Sequence, residues 1–358
     1  MTLSLSNAAR VGRGMMVAMG EGSSWNAVVQ RRRFDVCNGD ADGLCAVLQW
    51  RLHDAASATL VTGLKREIEL LQRVPCGHAD EVLVCDLSIM RNREPLRRLL
   101  DAGAHVRYFD HHFADEVPIH DKLEAHLDAD PETCTSLLMD RWLGGRCHAW
   151  ALVGAYGDAL TAVAHRRAAA AGFDAEQRAA LRRLGEAINY NAYGDDERDV
   201  HIAPAALYRI MSRHADPFEM IADEPVVGEL EALRQEDLRR AMTVAPTLRT
   251  ERACLVVLRD APWSRRVIGC LANELAAAAP RQAQAVLKHR PSGGYLVSVR
   301  APRAAPHGAD LLCAAFGGGG RAAAAGIDAL AADSLKRFVA AFSAVRWEAG
   351  PKAVGLPG

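Results

Sequence analysis

The chain has 358 residues, half of them hydrophobic and 24% charged, which is enough for two domains with real cores and excludes a disordered or membrane-embedded protein. Its net charge of −1 hides an asymmetry: residues 251–358 carry 14 Lys and Arg against 7 Asp and Glu, and the remainder 29 against 37. An acidic half that suits cation binding is thus joined to a basic half that suits an anionic substrate, without the overall positive field that holds long nucleic acid non-specifically.

Residues 1–30 contain Gly, Ser, Asn and isolated Met without a continuous apolar core, so a disordered leader is expected there rather than a cleaved signal. From about 33 to 130, apolar strands (33–37, 58–62, 81–85, 104–109) alternate with helical segments (44–53, 68–73, 95–101), which predicts parallel βαβ units and an α/β fold. Residues 133–213 read as mostly helical, with interruptions at Gly144-Gly145 and at 189–194, whose amides and aromatics suit either a nucleobase platform or a plain helix break. A charged connecting helix over 217–245 leads to a smaller α/β module: strand 254–258, helix 267–278, strands 283–288 and 295–300, helix 310–316, the glycines 317–320 and helix 334–345. The expected division is 31–216, a linker helix 217–249, a second domain 250–347 and a tail 348–358. Trp50, Trp142, Trp150 and Trp263 read as core. Nine scattered Cys without a CxxC pair argue for reduced core thiols, and no stretch is long and uncharged enough to span a membrane; both point to the cytoplasm.

Three of the strands end in chemistry. The first runs into Asn38-Gly39-Asp40-Ala41-Asp42-Gly43, the third into Asp86 and the fourth into Asp110-His111-His112. In an open parallel sheet, ligands bind beyond the carboxyl ends of the strands, so these tips converge on one crevice. Carboxylates crowded there repel one another unless a cation holds them, and a divalent metal site is the simplest solution. Taken singly, Asp40 and Asp42 are ordinary turn carboxylates and Asp86 an ordinary helix cap; jointly with the Asp-His-His run they are not. Asp158, behind Gly154 and Gly157, adds a carboxylate on a segment able to pack closely.

This order of motifs, D-x-D-G, strand-D, strand-D-H-H and G-x-x-G-D followed by a glycine-rich module, resembles the DHH phosphoesterases over roughly residues 33–345. That superfamily includes single-strand exonucleases, oligoribonucleases, cyclic dinucleotide phosphodiesterases and type II inorganic pyrophosphatases. The resemblance implies a parallel-sheet DHH domain, a helical connector and a smaller substrate-binding domain. It implies two Mn²⁺ or Mg²⁺ ions, one at Asn38, Asp40 and Asp86, the other at Asp42, Asp86, His111 and Asp158, with Asp86 bridging. His112 then serves the leaving or non-bridging oxygens, and Asp110 orients the His pair. Asn38 stands where the family usually has His, and an amide oxygen is the harder, weaker ligand, so the first ion is expected to bind loosely, to favour Mg²⁺ over Mn²⁺ or to arrive with substrate.

Gly317 to Gly320 and Arg321, with Gly326, resemble the family's Gly-Gly-Gly-His motif, Arg321 falling at the His. Gly318, Gly319, Gly320 and Arg321 are expected to clamp a substrate phosphate, with Arg321 away from the reacting one; alone, such a run is more often a flexible loop. Arg300 and Arg303 either extend this basic wall or are solvated. The implied activity is hydrolysis of phosphodiesters in short single-stranded oligonucleotides or small nucleotides, with a homodimer among the assemblies it admits. Its rivals are a pyrophosphatase-like phosphoanhydride hydrolase and a slow or non-catalytic nucleotide sensor.

Overall fold

β1 (Arg33–Asn38), α1 (Ala41–His53), β2 (Thr59–Gly63), β3 (Glu81–Cys85), α2 (Arg93–Asp101), β4 (His105–Asp110) and β5 (Leu123–Leu127) build a sheet in the order β2-β1-β3-β4-β5, parallel throughout. The structure, a computed structural model, describes residues 31–75, 77 and 80–347. The expected leader, the tail and Cys76 lie outside them. Successive side chains of a strand serve opposite faces, and both faces here are apolar. Val36, Val82, Val84, Val106 and Tyr108 pack towards α2, while Cys37, Leu83, Cys85 and Phe109 pack towards α1, α3 (Thr135–Trp142) and α4 (His148–Gly157).

The helical region continues through α5 (Thr161–Ala170), α6 (Ala175–Asn191) and α7 (Pro204–Met211). The expected single connector over 217–245 is two helices, α8 (Pro217–Asp223) and α9 (Pro225–Met242). Pro225 biases Glu224 to an extended backbone, which breaks the first helix, and is itself well placed to start the next.

The second sheet is mixed, in the order β10-β11-β9-β8-β7-β6. Its elements are β6 (Leu248–Arg249), β7 (Ala253–Leu258), α10 (Pro262–Ala278), β8 (Ala283–His289), β9 (Tyr295–Arg300), α11 (Ala309–Ala314), β10 (Gly319–Arg321), β11 (Ala324–Leu330) and α12 (Leu335–Ala344). α10 covers one face through Trp263, Val267 and Leu271, which also meet Tyr190 of α6 and Leu238 of α9. α11 and α12 cover the other through Leu312, Phe338 and Phe342.

Two expectations are corrected. The helix expected over 68–73 is a 3₁₀ turn, Leu70–Arg73, because Val74 precedes Pro75 and is held extended. Trp142 is 40% exposed rather than core, lying beside Trp50 and His126 at the rim of the first sheet. Trp50, Trp150 and Trp263 are buried. The described cysteines are all free thiols, buried except for half-buried Cys147. Among the described residues no helix is long and apolar enough to cross a membrane.

Candidate metal centre

β1, β3 and β4 are neighbours in the first sheet, so Asn38, Asp86 and the Asp110-His111-His112 run are side by side at its carboxyl edge. Asp40 caps α1, its Oδ1 accepting from the Gly43 backbone at 3.1 Å. Asp42 lies in the first turn of the same helix, fully buried. Its two oxygens accept from the backbone N–H groups of Thr135 and Ser136, each at 2.8 Å. These are the free donors of the positive end of α3, which tie the carboxylate in place from both sides.

Close helix packing brings in Asp158. A Cβ on Gly154 would lie 2.1 Å from Ser136 Oγ and 3.3 Å from Asp42 Oδ1, and one on Gly157 would lie 2.4 Å from the Ala41 Cβ. Lacking both, α4 lies against α1 and α3, and Asp158, at its C-terminal cap, reaches the same crevice.

Asp86 has a left-handed backbone, φ +58°, unusual for a residue with a side chain. Its N–H is held by Phe109 O at 3.0 Å, and Oδ1 accepts from Thr135 Oγ1 at 3.3 Å. Burial raises its pKa well above the carboxylate range, and repulsion from Asp40 and Asp42 adds to this.

His111 is fixed from behind. Its Nδ1 lies 3.1 Å from the Thr133 carbonyl, which can only accept, so Nδ1 carries the proton. Nε2 lies 3.4 Å from Asp86, 3.8 Å from Asp42 and 3.9 Å from Asp158. Burial works against charge on this ring, but the bond to Asp86 and the fields of Asp158 and Asp42 outweigh it, and its pKa is pushed up to about 10. Donor atoms of Asp42, His111 and Asp158 lie within 4.8 Å of one another, as do those of Asp86, His111 and His112. Crowded carboxylates around an imidazole of fixed tautomer are a donor set that fits a divalent cation, and in the metal-free chain the His111 proton balances them.

His112 is held by Asp110, Nδ1 to Oδ1 at 2.6 Å, with its ring 45% exposed. Crowding at the sheet edge opposes its protonation and the Asp110 carboxylate more than compensates, so its pKa is raised. Of the His pair that Asp110 is expected to orient, it bonds only His112, while His111 is held by Thr133.

The glycine run is an ordered hairpin. β10 pairs with β11, Gly319 opposite Gly326 and Arg321 opposite Ala324, and Gly318 donates to Cys313 O at 2.9 Å. A Cβ at Gly318 would sit 2.2 Å from Gly326 O, and Gly320 has φ +144°. The hairpin delivers Arg321 into the cluster itself, Nη2 donating to Asp158 Oδ2 at 3.3 Å and lying 3.0 and 3.4 Å from His111 Nδ1 and Nε2, near both ring nitrogens rather than on the lone pair of one. Arg321 is thus beside the expected metal ligands rather than removed from them. Arg300 donates to Asn273 Oδ1, Ser298 Oγ and Val299 O at 2.7, 2.9 and 3.0 Å, so its guanidinium is engaged by the protein, whereas Arg303 is exposed. In the run 189–194, Tyr190 donates to Asp237 at 2.6 Å and Asn191 binds the backbone of His201 and Ile202. These are helix-end contacts, the second of the two readings of that run.

One residue of the site carries no motif. Lys65, two residues beyond β2, places its ammonium on Asp40 Oδ2, and its backbone carbonyl accepts from Asn38 Nδ2 at 3.2 Å. Burial disfavours its charge, but Asp40 overrides this and raises its pKa well above the usual lysine value. The signal available was positional: β2 borders β1, so a residue after β2 comes to the same sheet edge.

No protein-family model matches the chain, and no curated protein matches it. Among solved structures it is similar to the DHH domain of a member of the s1p family of ribosomal proteins, at a TM-score of 0.59 and 14% identity over 87% of this chain and 86% of that one. An exonuclease RecJ bound to manganese matches at 0.51 and 21% identity, covering 88% and 90%. RecJ from Thermus thermophilus, in complex with Mn²⁺, matches at 0.51 and 21% over 88% of this chain, which spans about half, 52%, of that protein.

Proposed function

We propose that this chain, whose fold is that of the DHH-domain proteins, is a metal-dependent phosphoesterase that hydrolyses phosphodiester bonds of short single-stranded oligonucleotides or small nucleotides. One observation carries the reading: the carboxylates of Asp42, Asp86 and Asp158 lie 3.8, 3.4 and 3.9 Å from His111 Nε2, and Arg321 of the second sheet bonds Asp158. Asp42, Asp86, His111 and Asp158 would hold Mn²⁺ or Mg²⁺, which would supply a water of lowered pKa and neutralise charge on the phosphoryl oxygens. That RecJ was solved with manganese supports Mn²⁺.

The chain's own groups do the rest. Thr133 keeps the His111 proton on Nδ1 and leaves Nε2 for ligation; the α3 terminus holds Asp42 rigid. Arg321, 45% exposed, presents a fork of donors to the substrate's non-bridging oxygens. His112, charged more readily than a free imidazole because of Asp110, gives a proton to the departing oxygen. The basic residues of the second half favour an anionic substrate.

The test is a hydrolysis panel of 5′-labelled dinucleotides, longer single strands, cyclic dinucleotides and pyrophosphate, with Mn²⁺, Mg²⁺ or chelator. Metal-dependent cleavage of a short phosphodiester is expected. Turnover of pyrophosphate alone would replace this reading with a phosphoanhydride hydrolase, and no turnover of any substrate would replace it with a nucleotide sensor.

A further inference from the structure

Lys65 occupies the part of the centre where a second cation is expected, and we propose that its ammonium group replaces that ion, so that the chain works with a single divalent cation at Asp42, Asp86, His111 and Asp158. The inference rests on the reading of this cluster as a metal site and changes how many ions it holds.

Four observations support it. Both oxygens of Asp40 are already engaged: Oδ1 caps α1 and Oδ2 holds the Lys65 ammonium. Among the described residues, neither candidate donor group includes Asp40, although Asp42 of the same loop belongs to one. Asn38, standing where an imidazole would ligate the first ion, donates its amide N–H to the Lys65 carbonyl and so helps fix the backbone that carries the lysine, while its buried Oδ1 has no hydrogen-bond partner. Lys65 is no wandering surface side chain: it is 24% exposed, its N–H is bound by Ala192 O at 2.9 Å, and its ammonium lies 5.8 Å from the Tyr193 ring centroid. The amide at position 38 and the ammonium on Asp40 are thus linked through Lys65, a fixed side-chain charge standing where an exchangeable ion is expected. An ammonium keeps three donors, so with Asp40 taking one, others remain for a phosphoryl oxygen. It supplies charge stabilisation but no metal-bound water.

The test counts ions on the whole protein. Equilibrium dialysis against Mn²⁺ with elemental analysis should give one ion per chain for the wild type, with the electron paramagnetic resonance pattern of isolated Mn²⁺ rather than of a spin-coupled pair. Asn38→His alone should still hold one, because Lys65 remains on Asp40. Asn38→His combined with Lys65→Ala should hold two. Two ions on the wild type would overturn the proposal, showing that the lysine is displaced when metal binds, and this count needs no variant to fold. A folded double variant that stays at one ion would overturn it as well. No ion on the wild type would instead overturn the metal reading on which it rests.

Discussion

Each ligand candidate is set by a neighbour of a different kind. A helix end holds Asp42, a backbone carbonyl sets the tautomer of His111, and the Phe109 carbonyl anchors the left-handed backbone of Asp86. His111 gives a pH prediction whose sign can be worked out. Its pKa is about 10 in the metal-free fold against an ordinary value of 6.5, so the stability it contributes is complete below about pH 6.5 and is lost as pH rises through 10. At pH 8 the metal-free ring therefore still carries the proton that a metal must displace. Calorimetric titration with Mn²⁺ in two buffers of different ionisation enthalpy should show proton release on binding, from His111 and from any Asp86 that its raised pKa leaves protonated. Heats independent of the buffer would mean that the ring is already neutral.

At the scale of elements, the approach of α4 to α1 and α3 decides whether Asp158 joins the cluster. Gly154→Ala drives a methyl into Ser136 Oγ, 2.1 Å from the added carbon, and should cost about 1–3 kcal/mol of stability, as overpacking typically does. It should also weaken Mn²⁺ binding, because Asp158 is carried away. Denaturant unfolding and metal titration check both halves; a change in stability without a change in metal affinity would detach Asp158 from the site. The tips of β1, β3 and β4 were legible in the sequence because buried parallel strands are unbroken apolar runs, and an acidic or imidazole residue at their ends stands out. β5 was not legible: Leu123–Leu127 is an edge strand with Glu124 and Ala125 exposed and has no apolar run. Lys65 was not legible either, since its meaning depends on β2 lying beside β1, and strand order is a property of the assembled sheet.

At the scale of the whole molecule, an acidic edge of one sheet is met by an arginine from the other, which is the charge asymmetry of the sequence expressed in space. A second contact, Arg66 to Asp328 at 2.7 Å, joins the same two regions. The sequence suggested that Arg321 anchors a phosphate remote from the reaction. Its place against Asp158 and His111 changes the kinetic expectation. Arg321→Ala should lower kcat/KM by roughly 10- to 150-fold, the worth of a charge-assisted contact of about 1.5–3 kcal/mol, with the loss falling on kcat. Steady-state kinetics on a dinucleotide separate the cases, and a rise in KM at unchanged kcat would return Arg321 to a remote anchoring role.

The central claim, that a cation held around Asp86 drives phosphodiester hydrolysis, is tested most directly by one comparison. Wild type and Asp86→Ala, both shown to be folded, are stripped with chelator and assayed on a 5′-labelled dinucleotide before and after Mn²⁺ is restored. The wild type should be inactive when stripped and recover fully with Mn²⁺, and Asp86→Ala should stay below a few per cent of wild-type activity (~1 kcal/mol of lost transition-state stabilisation would cost only about fivefold). Activity in the stripped wild type, or substantial Mn²⁺-dependent activity in folded Asp86→Ala, would contradict that claim.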